Sequence, residues 1–118
     1  MRSGARTPEE LEILLEDAFL TGDPQALCDI FEQGAVLVAG SPPREAHGAD
    51  AICRLARAIV ESGLSYLAEP VRVVQARDTA VVLANGGINV VHRGSDGDWR
   101  YAIAVLAHEE TAHKEEER

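Results

Sequence analysis

The chain has 118 residues, enough for one domain with a single core and too few for two. Twenty acidic residues against eleven basic ones give a formal net charge of −9, which disfavours a nucleic-acid partner and an anionic membrane surface. No stretch is long and apolar enough to span a bilayer, and the first ten residues lack a signal-peptide core, so a cytoplasmic location is the default expectation. Two cysteines, Cys28 and Cys53, make no disulfide framework, and both are expected to be thiols.

The first half of the sequence predicts three helices. The first begins with Thr7 as N-cap, Pro8 at the first helical position and Glu10 closing a capping box. Its apolar stripe recurs at helical spacing and consists of Leu11, Leu14, Leu15, Ala18 and Phe19. The acidic side chains of this helix are assigned mostly to solvent, namely Glu9, Glu12, Glu16 and Asp17. A second helix starts at Asp23-Pro24, and a third ends at Glu61 with the buried stripe Ile52, Leu55, Ala56 and Ile59.

The second half predicts a four-stranded antiparallel meander between Ser65 and Leu106. Its strands are rich in valine and are separated by three turn signals, Arg77-Asp78, Asn85-Gly86-Gly87 and Gly94 to Asp98. A shorter strand from Ala35 to Ala39 precedes the third helix, and a loop with two prolines, Gly40 to Gly48, follows that strand. The expected organisation is therefore a loose segment over residues 1–6, one domain over 7–107 and a charged, disordered tail over 108–118.

Four local patterns in this order resemble motifs of the nuclear transport factor 2-like superfamily, in particular its SnoaL-like branch, which shares its fold with ketosteroid isomerase. They are Leu20–Leu27, Phe31–Val38, His47–Ile52 and the Asp-Gly-Asp-Trp-Arg-Tyr run at Asp96–Ile103. The resemblance implies an α+β, cystatin-like domain, in which three helices pack on the concave face of a cone-shaped, curved antiparallel sheet. It also implies an internal cavity and, commonly, a dimer. It implies no single activity, because one fold supports many functions.

The resemblance also allows the acid–base chemistry of ketosteroid isomerase to be compared with this chain. The position of its carboxylate base corresponds to Ala39, and the position of its donor tyrosine corresponds to Leu15. Neither residue can transfer a proton, so no catalytic residue is assigned and Δ5-3-ketosteroids are not expected to be isomerised. No cofactor and no metal-ligand set is predicted either. His92 is interpreted as a strand-end histidine partly in water.

The aromatic residues and one amide are the candidates for a ligand pocket. The predicted lining, expected to converge between the helices and the meander, is Phe19, Phe31, Tyr66, Asn89 and Tyr101. Asn89 lies in the middle of an apolar strand, so its amide is either a polar group of that pocket or an edge residue. Tyr101 is placed by strict alternation on the same face as Trp99, Ile103 and Val105.

The apolar residues on both faces of the predicted sheet predict a homodimer. In the strand over Thr79–Ala84, both Val81 and Val82 are apolar although they point to opposite faces, and the last strand is likewise apolar on both sides. Three helices can cover only one face, so the other should be covered by a second copy. The leading functional hypothesis is a binding or accessory domain for a small apolar, polyketide- or steroid-like molecule. The alternatives are an isomerase- or cyclase-type enzyme acting on a carbonyl through Tyr101, Asn89 or His92, and a non-catalytic dimerisation domain.

Overall fold

Nine helices and strands follow one another in the computed structural model, which describes residues 4–40, 42–63, 70–84 and 87–106. They are α1 (Pro8–Thr21), α2 (Pro24–Asp29), β1 (Phe31–Ala39), β2 (Arg44–His47), α3 (Ala49–Glu61), β3 (Pro70–Ala76), β4 (Thr79–Ala84), β5 (Gly87–Arg93) and β6 (Trp99–Leu106). Tyr66 and the tail over 108–118 lie outside the described residues. The three helices cover one face of a curved, open, six-stranded sheet, so the predicted α+β fold class is confirmed.

Side-chain caps set the starts of α1 and α2. The Thr7 side chain accepts a 3.0 Å hydrogen bond from the backbone N–H of Glu10, as a capping residue does at the start of α1. Asp23 caps α2 in the same way, because its Oδ1 accepts from the backbone of Gln25 and Ala26. Gly22 ends α1 in the left-handed conformation, with φ 66°. These corners are short, so α1 and α2 pack in the same layer.

The sheet order is β2-β1-β6-β5-β4-β3, and β3 to β6 form the predicted antiparallel meander. Strand β1 pairs with β6 in parallel, and it begins at Phe31 rather than at Ala35. Strand β2 falls in the segment predicted as a loop. The prolines at 42 and 43 do exclude a helix there, but Arg44–His47 pairs with the edge of β1.

A β-bulge at Ala102 corrects the predicted faces of β6. Val90 pairs with Ile103 while Val91 pairs with Tyr101, so Ala102 is an extra residue in β6. The side-chain alternation therefore changes phase at this point. Trp99 and Tyr101 point inward as the buried Ala104 and Leu106 do, whereas Ile103 and Val105 lie on the outer face, 42% and 36% exposed. The prediction that Ile103 and Val105 share a face with Tyr101 was wrong.

Part of the N-terminal segment lies against the sheet. Ala5 is buried, and its carbonyl accepts a 2.8 Å hydrogen bond from the backbone N–H of Trp99. The guanidinium of Arg6 lies 3.1 Å from a carboxylate oxygen of Asp98. The sequence predicted loose chain up to residue 6. Among the residues described there, Ala5 forms one isolated antiparallel bridge with Trp99.

The two cysteines are paired. Cys28 of α2 and Cys53 of α3 form a disulfide, with their Cα atoms 5.2 Å apart. The expectation of two free thiols was wrong. It was based on the expected compartment and on the number of cysteines, and neither of these indicates that α2 and α3 pack side by side.

Candidate functional site

The inner face of the sheet, which faces the helices, is rich in small side chains. Along the pairing register Ala39, Leu106, Gly87 and Ala84 form one row across four strands. The small inner residues of β1 and β4 to β6 are Ala35, Ala39, Ala80, Ala84, Gly87 and Ala104. Small side chains on a sheet either let a helix approach closely or leave space for a ligand, so this face is where a binding site would be sought.

A buried polar cluster joins α1 to this face. The carboxylate of Glu12 accepts two hydrogen bonds at the same oxygen, Oε2: one of 2.9 Å from Nδ2 of Asn89 and one of 2.8 Å from the Tyr101 hydroxyl. All three residues are at most 1% exposed. The other end of the Asn89 amide, Oδ1, accepts a 3.1 Å hydrogen bond from the backbone N–H of Val105. We call Glu12, Asn89 and Tyr101 the polar cluster.

Burial of a carboxylate is costly unless hydrogen bonds replace its hydration. The polar cluster supplies such bonds from β5 and β6, and a hydrogen bond to a charged group contributes about 1.5–3 kcal/mol. The direction of the bonds matters for recognition. The Tyr101 hydroxyl and one Asn89 N–H point at Glu12, so the cluster presents the carboxylate as its central acceptor.

The structure brings together three of the five predicted pocket residues. Asn89 and Tyr101 meet at Glu12, and the ring of Phe31 packs on that of Tyr101 with centroids 5.4 Å apart. Phe19 is partly buried and packs against the core from α1. Tyr66 lies outside the described residues.

Sequence reasoning assigned Glu12 to solvent, and that assignment was wrong. Glu12 is four residues after the buried Pro8 and three before the buried Leu15, so it lies on the inward side of α1. The helical positions of Pro8, Leu15 and Phe19 contained the signal for this burial. It was overlooked because a charged residue type was taken as sufficient to indicate exposure.

Leu15 and Ala39, the positions compared with the acid–base groups of ketosteroid isomerase, are both buried among apolar residues. The carboxylate near the sheet comes from a different position of α1. His92 lies elsewhere: its Nδ1 is 3.1 Å from both carboxylate oxygens of Glu32, and its side chain is 43% exposed. The described residues contain no group of three His, Cys, Asp or Glu side chains that could hold a metal ion. None of the described helices is long and apolar enough to cross a membrane.

The hairpin between β5 and β6 carries a charge cluster. Arg100 is 2.7 Å from a carboxylate oxygen of Asp96. The backbone N–H of Asp98 also donates a hydrogen bond to the Asp96 carboxylate. The hydrogen bond from Arg100 is the main reason why the pKa of Asp96 falls from 3.8 to about 2, and the N–H of Asp98 adds to it. Arg93 lies over the ring of Trp99, 5.4 Å from its centroid. These contacts fix the hairpin beside the buried part of β6.

The outer face of the sheet has the opposite character to the inner one, because large aliphatic side chains form two rows across it. The register aligns Val36, Ile103, Val90, Val81 and Val74 in one row, and Val38, Val105, Ile88 and Leu83 in the other. Ile88 is 54% exposed and Val74 is 51% exposed. We call these nine residues the outer aliphatic rows.

The arrangement of three helices on a curved sheet is the nuclear transport factor 2-like, or cystatin-like, fold. A candidate calcium/calmodulin-dependent protein kinase type II association domain from Thiobacillus denitrificans is 16% identical, with a TM-score of 0.74 over 91% of this chain and 100% of that one. A ketosteroid isomerase-like protein from Erwinia carotovora atroseptica is 20% identical, with a TM-score of 0.68 over 84% of this chain and 91% of that one.

A third similar structure is an NTF2-like protein with a cystatin-like fold from Novosphingobium aromaticivorans. It is 21% identical, with a TM-score of 0.65 over 86% of this chain and 79% of that one. Neither a protein-family profile nor a curated protein sequence matches the chain. At these identities the likeness establishes the fold alone. The predicted recognition of an NTF2-like, SnoaL-like fold is confirmed in that sense.

Proposed function

We propose that this protein is a small-molecule binding domain whose ligand lies between α1 and the inner face of the sheet, with the polar cluster as its polar contact. One observation carries the proposal: Glu12 of α1 is buried against the inner face of the sheet, where its carboxylate accepts hydrogen bonds from Asn89 and Tyr101. A domain that needed only a packed interface between α1 and the sheet would be served by an apolar residue at that position, since buried ionised groups seldom add net stability.

The surroundings define the class of ligand. Leu15 follows Glu12 by three residues and Val91 follows Asn89 by two, and both are fully buried. Apart from Asn89 and Tyr101, the buried residues on the inner face of the sheet are apolar. A largely apolar molecule with one hydrogen-bonding group fits such a lining, for example a polyketide- or steroid-like compound. The proposal assigns no catalytic step to the cluster.

A ligand screen tests this proposal. Thermal shift and protein-observed NMR would be measured with a panel of lipophilic ketones and alcohols, on the unaltered protein and on Tyr101→Phe. We expect one chemical class to raise the melting temperature and to shift the resonances of Val91 and Ala104, with weaker binding to Tyr101→Phe. Ile13→Lys, on the exposed side of α1, should bind as the unaltered protein does.

Absence of binding across the panel would contradict the proposal, and so would binding that shifts only resonances of the outer aliphatic rows. A ligand that binds equally well to the unaltered protein and to Tyr101→Phe would place its polar group away from the cluster.

A second candidate function is assembly, and the outer aliphatic rows favour it. Nine aliphatic residues in register across five strands form a continuous apolar surface of a kind that proteins normally cover. We propose a homodimer in which each copy covers the other through this face. An interface made of the same patch on both chains closes by two-fold symmetry. The proposed dimer and the proposed ligand site use opposite faces of the sheet, so one protein can have both functions.

A further inference from the structure

The disulfide joins the shortest helix to a helix about twice its length. Helix α2 has six residues, whereas α3 has thirteen. A helix of six residues is not stable alone, because isolated helices shorter than about 12–15 residues are marginal in water. Leu27 is the one fully buried residue of α2, and Ala26 and Cys28 are partly buried against the core. The bond from Cys28 to Cys53 adds a covalent link between α2 and α3 to this packing.

We infer that Cys28 and Cys53 form a reversible redox clasp, which holds α2 against α3 when oxidised and releases α2 when reduced. The two side chains are close enough to pair without moving the backbone, since the Cα separation of 5.2 Å falls in the usual range for disulfides. Both residues are partly exposed, so a small thiol reagent can reach them. The inference does not depend on the proposed ligand site.

Closing the clasp requires an oxidant, and a small-molecule disulfide such as oxidised glutathione supplies it. One cysteine thiolate attacks a sulfur of the reagent, forms a mixed disulfide and expels one thiolate. The second cysteine thiolate then attacks the protein sulfur of that mixed disulfide and expels the second thiolate. The two protons of the cysteines pass to the two departing thiolates. The protein loses two electrons, and the reagent gains them as it becomes two molecules of glutathione.

Release of α2 would change a groove on the surface. Helices α1 and α2, with the adjoining Asp23 and Ile30, line a groove of about 250 Å3. Its apolar lining residues are Leu14, Ala18, Ala26 and Ile30, and its acidic lining residues are Asp17, Asp23 and Asp29. Two of the groove residues, Ala26 and Asp29, flank Cys28 within α2, so the clasp sets the position of one wall of this groove.

Thiol counting and hydrogen exchange test the clasp on the full chain. The protein would be equilibrated in glutathione buffers from fully reducing to oxidising, quenched with acid and alkylated. We expect the number of alkylated cysteines to change reversibly from two to none, with the protein staying a single chain on a non-reducing gel. Backbone exchange over residues 24–29 should be several-fold faster in the reduced form, while exchange in β5 and β6 stays the same.

Variants separate the clasp from a general effect of reductant. Cys28→Ser and Cys53→Ser should each show the fast α2 exchange of the reduced protein in every buffer. If a serine variant fails to fold, the alkylated reduced protein provides the same comparison. The inference is overturned if the thiols persist in oxidised glutathione, if the disulfide forms between chains, or if α2 exchanges equally in both redox states.

Discussion

The hydroxyl of Tyr101 donates a 2.8 Å hydrogen bond to Oε2 of Glu12, although 89 positions separate the two residues in the sequence. The bond joins the first helix to the last strand, and the Asn89 amide meets it at the same oxygen. A contact between such distant segments requires α1 to pack against β5 and β6. The hydrogen bond between Tyr101 and Glu12 therefore lies at the centre of the candidate site and also depends on the packing of α1 against the sheet.

Removal of the Tyr101 hydroxyl should destabilise the fold. Tyr101→Phe keeps the ring and its contact with Phe31 but deletes a donor to a buried carboxylate, and we expect a loss of about 1.5–3 kcal/mol in the free energy of unfolding. Urea denaturation of Tyr101→Phe, Glu12→Gln and the double variant gives the coupling energy between the two side chains. Additive effects would show that the hydrogen bond contributes nothing of its own.

Gly87 begins β5 where its backbone passes close to β6. A Cβ built on it would collide with the carbonyl oxygen of Val105. Gly87→Ala should therefore force the two strands apart and cost about 1–3 kcal/mol, as overpacking typically does. Urea denaturation measures this cost. Thr79→Ala, an exposed change on neighbouring β4, is the control and should stay within about 0.5 kcal/mol. Equal stability of the two variants would contradict the close approach.

Local signals in the sequence were sufficient for most of the fold. The start of α1 follows from Thr7, Pro8 and Glu10, which lie within one turn of one another, and the meander follows from turn residues between valine-rich runs. Strand β2 could not be predicted in this way. It exists because Arg44–His47 finds the open edge of β1, and that edge is a product of the tertiary fold.

The candidate site was predictable in part. Asn89 stood out because an amide in an apolar strand needs a partner, and Tyr101 because it shares a strand face with Trp99 and has a hydroxyl to present to a cavity. Their partner Glu12 was missed, since its residue type was given more weight than its helical position. The bulge at Ala102 was missed because period-two counting assumes an unbroken pleat. Two adjacent helices brought the cysteines together, and cysteine spacing alone carries no such information.

The acid limb of the stability profile should depend on Asp96. Its pKa is lowered to about 2 by Arg100, so the carboxylate contributes stability that is fully present above its ordinary value of 3.8 and is lost as the pH falls through about 2. Thermal unfolding from pH 5 to pH 2 should show the unaltered protein losing its advantage over Asp96→Asn across that window. A stability difference between the two proteins that does not change with pH would contradict this role of Asp96.

Two isoleucines with nearly equal exposure allow the proposed dimer to be tested against a matched control. Ile88, in the outer aliphatic rows, is 54% exposed, and Ile13, on the solvent side of α1, is 52% exposed. If a second copy covers the sheet face, Ile88→Lys buries an ammonium group in the interface on both chains, and its desolvation should drive the protein to a monomer. Ile13→Lys adds the same charge away from the face and should leave the dimer intact.

Sedimentation equilibrium at micromolar concentration measures the mass of each protein. A monomeric mass for the unaltered chain would refute the dimer outright. Dissociation of both variants would show that added charge, rather than the sheet face, controls association.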